Sequence, residues 1–535
     1  MAETNAFEIK SFQGALSPYE DKGPTGSFKF GTNLDVRKKI DSLSAGQALT
    51  DEGLHTSHSP SASTSPSVSV SRSPSPSASK SISPTPSPSA SASPSVSVSL
   101  SGSVTPSRSI SPSPSPSSGA GVSTVFEGLI HFFVKGSDGY TYAFDNVGCV
   151  YRRDSDAFWQ RIYKDPDGAI LGAAEWPQDN GKTYLFWATL RKLHKKEIPG
   201  RSDWNDVDAE ATWPKTNLES ADWHTMSQSG GSLMIANRNF VALVGYDGSY
   251  TNEFVNLIPG NEAKTIVERN GRAIIGTARR ADPTRGVNGA IDSEYPLAQI
   301  GGAGEIFFAN MSDSIASKKF PGGGKVNPGG VANEIEEVNF FEAEQNSLSW
   351  IDKQSVGNMS LWGVFNADSG RGGIYTYGRR TKDQPFVLNC EYLLDVNEIG
   401  AVVNTGGVTL ASYRSGSTFG VKAVDSTTKA TGTYEGLDLR APTKKVSENT
   451  QWKWAELYMA PLPTGTSVEF WYKLNKSGSF TRAYLADGGT AFSTAGGKKA
   501  VFRIGENAEI FEPRVVLNPT GNYTPEIYRI RIYFS

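Results

Sequence analysis

Between residues 122 and 442 the sequence repeats one pattern, and this repetition constrains the fold more than any other feature. Apolar runs of about four to eight residues are bounded by Asp-Gly and Asn-Gly turns, which supply the positive φ angles of tight hairpins. Leu129–Val134, Tyr140–Phe144 and Thr183–Leu190 are three such runs. The hairpin unit recurs every 45–65 residues or so, roughly the spacing of propeller blades. We therefore predict an all-β, β-propeller-like body of about five or six blades.

Residues 443–535 follow a different pattern. Polar and apolar positions alternate in Ser467–Leu474 and in Glu526–Phe534. Strands with this period of two, about 10–15 residues apart, are typical of an antiparallel sandwich. We predict a C-terminal β-sandwich over 443–535. A pair of large sandwiches in place of the propeller would also give short strands, but not the recurring hairpin unit.

Residues 54–121 form a low-complexity Ser/Pro tract. The tract contains no acidic residue, and its basic residues are Arg72, Lys80 and Arg108. Such a composition cannot bury enough apolar surface to offset the entropy of ordering. We predict a disordered linker that tethers the body. A glycosylated stalk and a phosphorylated Ser-Pro segment are the alternatives.

Residues 1–53 are predicted to be a docking segment, since they have too few large apolar groups to fold alone. A helical turn capped by Asp35 is expected after that residue, because apolar residues recur there at helical spacing. The alternative is a disordered tail. The candidate docking residues are Phe28, Phe30, Leu34, Ile40 and Leu43.

Composition excludes several classes of protein. The net charge of −3 over 535 residues lacks the basic excess of a nucleic-acid binder. No apolar run reaches the length of about 18 residues that crosses a bilayer, so we expect no membrane insertion. The N-terminus shows no signal-peptide pattern. Cys149 and Cys390 lie in apolar strand contexts and are expected to be buried free thiols.

The sequence shows no motif for catalysis. It has no G-x-S-x-G, HExxH or phosphate-loop pattern, and its five histidines are not clustered with one another at ligand spacing in the predicted body. The turn Asp165–Gly168 could ligate calcium, but a plain turn is the favoured interpretation. His194 and His224 stand alone in the sequence. We therefore predict a non-enzyme with no catalytic residues, no cofactor and no metal.

Exposed aromatic and arginine residues are the best candidates for binding. The segment Trp204–Trp213 mixes tryptophans with carboxylates, a combination that suits sugar stacking or a protein contact. A buried loop anchor explains it equally well. Pairs of consecutive arginines occur at the ends of predicted strands. They could form a binding cluster, or they could simply be solvent-exposed surface residues. The candidate binding residues are Trp204, Trp213, Arg279, Arg280, Arg379 and Arg380.

Two stretches carry a resemblance to a known class of protein. Residues 26–53, GSFKFGTNLDVRKKIDSLSAGQALTDEG, directly precede the Ser/Pro tract, and the end of the chain runs from WKWAELY at Trp452 to PEIYRIRIYF at Phe534. Together these resemble structural proteins of tailed-bacteriophage virions. The resemblance implies a virion location and no catalysis. It also implies other virion proteins as partners, a homo-oligomer in the particle and a possible host-surface glycan as ligand.

Three functional classes remain open on the sequence. The first is a virion structural protein whose N-terminal segment anchors it while the tethered body mediates assembly or host-surface contact. The second is an extracellular carbohydrate-binding or glycan-cleaving β-propeller. The third is a secreted wall protein with a glycosylated Ser/Pro stalk, against which the missing signal-peptide pattern and the low cysteine count speak.

Overall fold

The computed structural model is built from strands and turns. Its described residues belong to one compact unit, which joins residues 1–55 to residues 124–535. These described residues contain no helix, and so no helix that could cross a membrane. They are 5–12, 15–16, 26–36, 41–54, 126–178, 180–190, 192–198, 208–210, 223–229, 231–238, 240–245, 249–256, 261–269, 272–279, 306–310, 315–318, 344–350, 359–365, 373–378, 387–394, 398–405, 407–440 and 450–535.

Seven strands precede the Ser/Pro tract. They are β1 (Asn5–Ile9), β2 (Ala15–Leu16), β3 (Ser27–Phe28), β4 (Phe30–Thr32), β5 (Leu34–Asp35), β6 (Leu43–Ala45) and β7 (Gln47–Asp51). β2 and β3 pair with each other in parallel. The other five join sheets that are built mainly from later parts of the chain.

Six four-stranded antiparallel sheets, the propeller sheets, follow in chain order in the described residues. The first is β8 (Ile130–Lys135), β9 (Thr141–Asp145), β10 (Cys149–Arg153) and β11 (Trp159–Lys164). The second is β12 (Gly172–Pro177), β13 (Thr183–Ala188), β14 (Leu193–Ile198) and β15 (Asp208–Glu210). The third is β16 (Met226–Ser229), β17 (Ser232–Asn237), β18 (Phe240–Val244) and β19 (Tyr250–Asn256).

The remaining three sheets complete the series. The fourth is β20 (Asn261–Arg269), β21 (Arg272–Arg279), β22 (Ile306–Asn310) and β23 (Ile315–Lys318). The fifth is β24 (Glu344–Trp350), β25 (Met359–Phe365), β26 (Gly373–Gly378) and β27 (Val387–Leu393). The sixth is β28 (Glu398–Thr405), β29 (Val408–Ser415), β30 (Thr418–Lys429) and the N-terminal strand β7.

The propeller sheets close into a ring. The first strand of each sheet lies against the first strand of the next, and β28 returns to β8. Buried apolar side chains fill the spaces from the first sheet to the fourth and from the fifth back to the first, as around Trp187 between the first and second and around Trp159 between the sixth and first. The first, second, third and sixth sheets therefore bury both faces against their neighbours. This confirms the predicted all-β, propeller-like body.

Glycines stand where two propeller sheets touch. A Cβ on Gly172 would lie 1.7 Å from the carbonyl oxygen of His224, and one on Gly400 would lie 2.2 Å from that of Ile130. No side chain fits at either distance, so both positions require glycine because the backbones approach so closely.

The N-terminal segment closes this ring. β7 pairs with β30 and supplies the fourth strand of the sixth sheet. The next residue, Glu52, accepts hydrogen bonds from Arg153 Nε at 2.8 Å and Trp159 Nε1 at 2.8 Å in the first sheet. The segment thus joins the last propeller sheet to the first.

Two sheets form the C-terminal sandwich. Its strands are β31 (Gly432–Glu435), β32 (Thr450–Met459), β33 (Ser467–Leu474), β34 (Ser477–Arg482), β35 (Tyr484–Leu485), β36 (Lys499–Ala508), β37 (Phe511–Asn518) and β38 (Glu526–Phe534). One sheet has the order β35-β36-β32-β38-β6-β5, with β1 also paired to β38. The other has the order β34-β33-β37-β31-β4. Because β31 belongs here, the sandwich begins before the predicted boundary at residue 443.

The predicted docking residues lie inside this sandwich. Phe28, Leu34 and Leu43 are fully buried in its core, and Phe30 packs against that core. Ile40 lies outside the described residues. This corrects the prediction: the segment docks on its own chain, because the edge strands of both sheets offer unpaired backbone groups. Asp35 and Leu43 lie in β5 and β6, so the helical turn expected to include Leu43 does not reach it.

The flanks of the Ser/Pro tract correct its predicted role as a tether between separate parts, whereas its predicted disorder stays a prediction. Leu54 forms a β-bridge with Trp159, and the Phe126 ring lies 6.3 Å from the same indole. Both flanks therefore meet at one residue of the first propeller sheet. The Ser/Pro tract, which otherwise lies outside the described residues, connects β7 to β8 of one unit and does not join a separate anchor to a body.

Candidate binding face

The binding residues chosen from sequence remain predictions. Trp204, Trp213, Arg280, Arg379 and Arg380 lie outside the described residues. Arg279 ends β21, where the structure describes the backbone but not this side chain.

A cluster of titratable side chains bridges the first two propeller sheets. Asp165 and Asp167 lie in the turn after β11, and His194 lies on β14. His194 Nε2 is 3.7 Å from Asp165 Oδ2 and 3.5 Å from Asp167 Oδ2. One ligand atom from each of the three lies within 4.8 Å of the others, so the spacing alone would admit a metal ion. This cluster is not visible in the sequence because packing between two sheets, not sequence spacing, assembles it.

The polar groups of this cluster already have protein partners. Asp165 accepts hydrogen bonds from the Asp167 amide at 2.8 Å and from Trp187 Nε1 at 2.7 Å. Lys192 Nζ pairs with Asp167 at 2.8 Å, and the His194 ring stacks on Trp187. Burial lowers the pKa of His194, although the two carboxylates oppose the shift. The cluster therefore links the first two sheets through a hydrogen bond and an ion pair.

The outward surface of the seven-stranded sandwich sheet is the better candidate site. In β38, Ile530 and Ile532 point into the core while Arg531 and Tyr533 point outward, as the period of two requires. Strands β32, β36, β35 and β1 present their outward residues on the same surface. We call this surface the outer face.

Strand register places four outward residues side by side across the outer face. Tyr484 is opposite Arg503, Arg503 is opposite Trp454, and Trp454 is opposite Tyr533. The rings of Trp454 and Tyr533 stack with centroids 4.7 Å apart and planes at 22°. Tyr484 is 55% exposed and Arg503 is exposed as well. We call these four residues the aromatic row.

A second row is dominated by cations. Tyr458 is opposite Lys499 on one side and Arg529 on the other. Lys499 Nζ and Arg529 Cζ each lie 5.3 Å from the centroid of the Tyr458 ring, and Arg531 Cζ lies at 5.5 Å. Three cations therefore surround one ring at distances where cation–π attraction operates.

Two carboxylates lie among these cations, and both form hydrogen bonds or ion pairs with neighbouring side chains. Glu456 accepts hydrogen bonds from Lys499 Nζ at 2.7 Å and from the Tyr458 hydroxyl at 2.6 Å. Burial raises the pKa of Glu456, but these hydrogen bonds and one from the Tyr533 hydroxyl outweigh it, so the net shift is downward. Glu8 of β1 pairs with Arg531 at 2.7 Å. Glu456 and Glu8 are therefore ionised, and their negative charges are paired with Lys499 and Arg531.

Arg503 is the cation of the outer face left for a partner. It has no ion-pair or hydrogen-bond partner within the described part of the chain. Arg529 Nε lies 3.4 Å from Glu8, which also pairs with Arg531, so these two arginines share one carboxylate. The outer face therefore has a local positive excess on a chain whose net charge is −3.

The opposite surface of the sandwich has similar residues but balanced charge. Arg482 lies over the Trp471 ring and pairs with Glu469 at 2.5 Å. Arg514 pairs with Glu435 at 2.5 Å. Because each of these arginines has its own carboxylate, this surface lacks the positive excess of the outer face.

The alternation in β38 is predicted from the sequence, but no site is assigned to it. The register shifts where Met459 pairs with Ile527, which leaves Tyr528 as an extra residue, 42% exposed, and turns Ile527 into the core. The signal that could have identified the outer face is the choice of Trp, Tyr and Arg at its outward positions.

No protein-family model matches the sequence, and no curated protein matches it. Among solved structures, a catalytically inactive virginiamycin B lyase from Staphylococcus aureus, crystallised with quinupristin, is similar over 56% of this chain and 82% of its own, with 10% identity and a TM-score of 0.34. A putative oxidoreductase (glucose dehydrogenase) from Thermus thermophilus is similar over 56% of this chain and 97% of its own, with 9% identity and a TM-score of 0.37.

A chain of the mitotic checkpoint complex is similar over 60% of this chain and 99% of its own, with 7% identity and a TM-score of 0.32. At these identities the three likenesses concern the fold alone.

Proposed function

We propose that this chain is a non-catalytic structural protein of a tailed-phage virion, and that its outer face contacts a partner surface during assembly or host attachment. The sequence support is the resemblance carried by residues 26–53 and by the end of the chain. The structural support is a single observation, the unbalanced array of rings and cations on the outer face. Tyrosine, tryptophan and arginine dominate binding hot spots.

Support for a non-catalytic role comes from the cluster of Asp165, Asp167 and His194. Its groups are bound to protein partners and lie between two packed sheets, whereas catalytic pairs need accessible groups with separated pKa values. The proposal takes this cluster to be structural.

Folding of the N-terminal strands into the body changes how the chain would attach to a particle. Phe28, Leu34 and Leu43 are used in the core and are not available to another protein. The proposal therefore assigns particle contacts, including those of a homo-oligomer, to surfaces of the body.

Purified particles carrying variant chains test this proposal. We expect the wild-type chain in purified particles by mass spectrometry. We expect Arg503→Glu with Tyr484→Ala to reduce incorporation or host adsorption at least tenfold. The matched control is Tyr140→Ala with Arg152→Glu on the first propeller sheet. Tyr140 is exposed, and Arg152, which is partly buried, has its Cζ 4.7 Å from the centroid of the Tyr140 ring. Absence of the chain from particles would refute the virion role.

The outer face also favours a second candidate, an extracellular carbohydrate-binding or glycan-cleaving propeller protein. Rings beside cations suit sugar binding as well as protein contact. Secretion of the chain as a free protein, with no association with particles, would favour this candidate.

A further inference from the structure

We propose that the outer face binds an anionic sugar chain that runs along the aromatic row; this rests on the proposed role of that face in surface contact. The ligand class is a polysaccharide whose rings carry carboxylate or phosphate groups. Three properties of the outer face support this choice: its flat rings, its excess of cations and the small aliphatic area at its centre, where Val501 is exposed.

The length of the aromatic row matches an extended chain of rings. Tyr484, Trp454 and Tyr533 lie on three strands of the same sheet, with Arg503 between the first two. Neighbouring strands are about 4.8 Å apart, so the row from Tyr484 to Tyr533 covers roughly 14 Å. That distance accommodates a few consecutive sugar rings, whose C–H faces pack on aromatic side chains while their hydroxyls stay in water.

The charge of the outer face selects for an anion. Arg503 alternates with the rings of the aromatic row and is exposed without a protein partner in the described chain. Arg529 lies in the adjacent cationic row, beside Tyr458. Guanidinium groups bind carboxylate and phosphate through paired hydrogen bonds, so a ring-borne anion could reach Arg503 while its sugar stacks on Trp454.

The outer face lacks the apolar core that a large, stable protein interface needs. Stable protein interfaces have an apolar core surrounded by a polar rim. Val501 is the exposed large aliphatic residue at the centre of this surface, and it lies opposite the charged Glu456. A polar, ring-lined surface of this kind suits a hydrated sugar chain better than a large apolar partner.

Binding of the full-length protein to defined polymers tests the inference. The probes are hyaluronate for carboxylate, a glycosylated glycerol-phosphate polymer for phosphate, dextran as a neutral sugar and polyphosphate as charge without sugar. We expect binding to hyaluronate, the phosphate polymer or both, weakened by added salt, and much weaker binding to dextran and polyphosphate. The polymer bound identifies which anion the partner carries.

Variants show whether the outer face is responsible. Arg503→Glu and Trp454→Ala should each weaken binding at least tenfold, and Tyr484→Ala, which removes an exposed ring without opening the core, keeps the test valid if Trp454→Ala fails to fold. Tyr140→Ala with Arg152→Glu should bind like the wild type. Equal binding of polyphosphate, or variants of the aromatic row that bind normally, would overturn the inference.

The outcomes separate this inference from the proposed function. If no polymer binds but the outer-face variants still lose particle incorporation or host adsorption, the anionic sugar is rejected and a protein partner takes its place. If the variants change neither polymer binding nor particle behaviour, both proposals fail.

Discussion

At the scale of single residues, buried polar groups of this molecule connect parts that lie far apart in sequence. Glu52 follows the seventh strand and accepts hydrogen bonds from Arg153 and Trp159 of the first propeller sheet, more than a hundred positions later. Glu52 has a side chain only 5% exposed. A buried carboxylate with charged and neutral donors is costly to remove, because its donors are left without an acceptor.

Replacing Glu52 with alanine should destabilise the protein by about 3 kcal/mol, since it leaves the Arg153 guanidinium and the Trp159 indole NH unpaired. Urea unfolding followed by tryptophan fluorescence measures the change. Glu509→Ala is the control, because its ion pair with Arg440 is exposed and should contribute less than about 1 kcal/mol. Equal effects from the two substitutions would show that the Glu52 contacts do not hold the ring closed.

A pH dependence follows from His194. Its folded pKa is depressed by burial below the ordinary value of 6.5, so below that pH the unfolded chain binds more protons at this site. The neutral His194 ring therefore makes its full contribution to the free energy of unfolding above about pH 6.5. This contribution declines as the pH falls toward the folded pKa. Thermal unfolding between pH 5 and pH 8 should show this decline, and His194→Gln should reduce it while His131→Gln does not. An unchanged slope in His194→Gln would contradict the assignment.

At the scale of elements, added N-terminal strands complete sheets built elsewhere in the chain. β1 pairs with β38, β4 with β31, β6 with β38 and β7 with β30. A neighbouring ion-pair network reinforces the link, since Lys29 Nζ lies 2.9 Å from the buried Glu512 carboxylate. Strand addition of this kind covers exposed sheet edges and lengthens the core.

Phe7 of β1 provides a test of this strand addition. Its ring lies 5.9 Å from that of Trp452 and 5.0 Å from that of Phe534, and it packs against the sandwich core. Phe7→Ala should lower stability by about 2 kcal/mol, because part of an aromatic side chain is lost from a packed contact. Glu8→Ala, next to it but exposed, should have little effect. A stable Phe7→Ala protein would show that β1 is dispensable.

The sequence predicts those strands whose hydrophobic pattern is contained in one continuous run of residues. The run Ser467–Leu474 is strand β33, and the run Thr183–Leu190 contains β13. Strands β1, β6 and β7 escaped prediction because they pair with strands hundreds of residues away, as the hydrogen bond from Arg531 to Glu8 illustrates. The outer face escaped because it depends on the register of several strands, and alternation alone does not give register.

At the scale of the whole molecule, residues 1–55 and 124–535 form one compact unit. Leu54 and Phe126, which lie on either side of the Ser/Pro tract, both contact Trp159. The tract is therefore an insertion between two strands of one folded body, and the chain on its N-terminal side is part of the structural core. A display tether would instead have joined two independent parts.

Cleavage within the Ser/Pro tract tests this central claim most directly. A site-specific protease sequence placed after Ser101 allows the folded protein to be cut once, and native size-exclusion chromatography with mass spectrometry then identifies what remains together. We predict that the fragment bearing β1–β7 stays bound to the remainder and separates only in denaturant, because its strands complete three sheets and its side chains fill the sandwich core. Release of that fragment under native conditions, with the remainder still folded, would contradict the account.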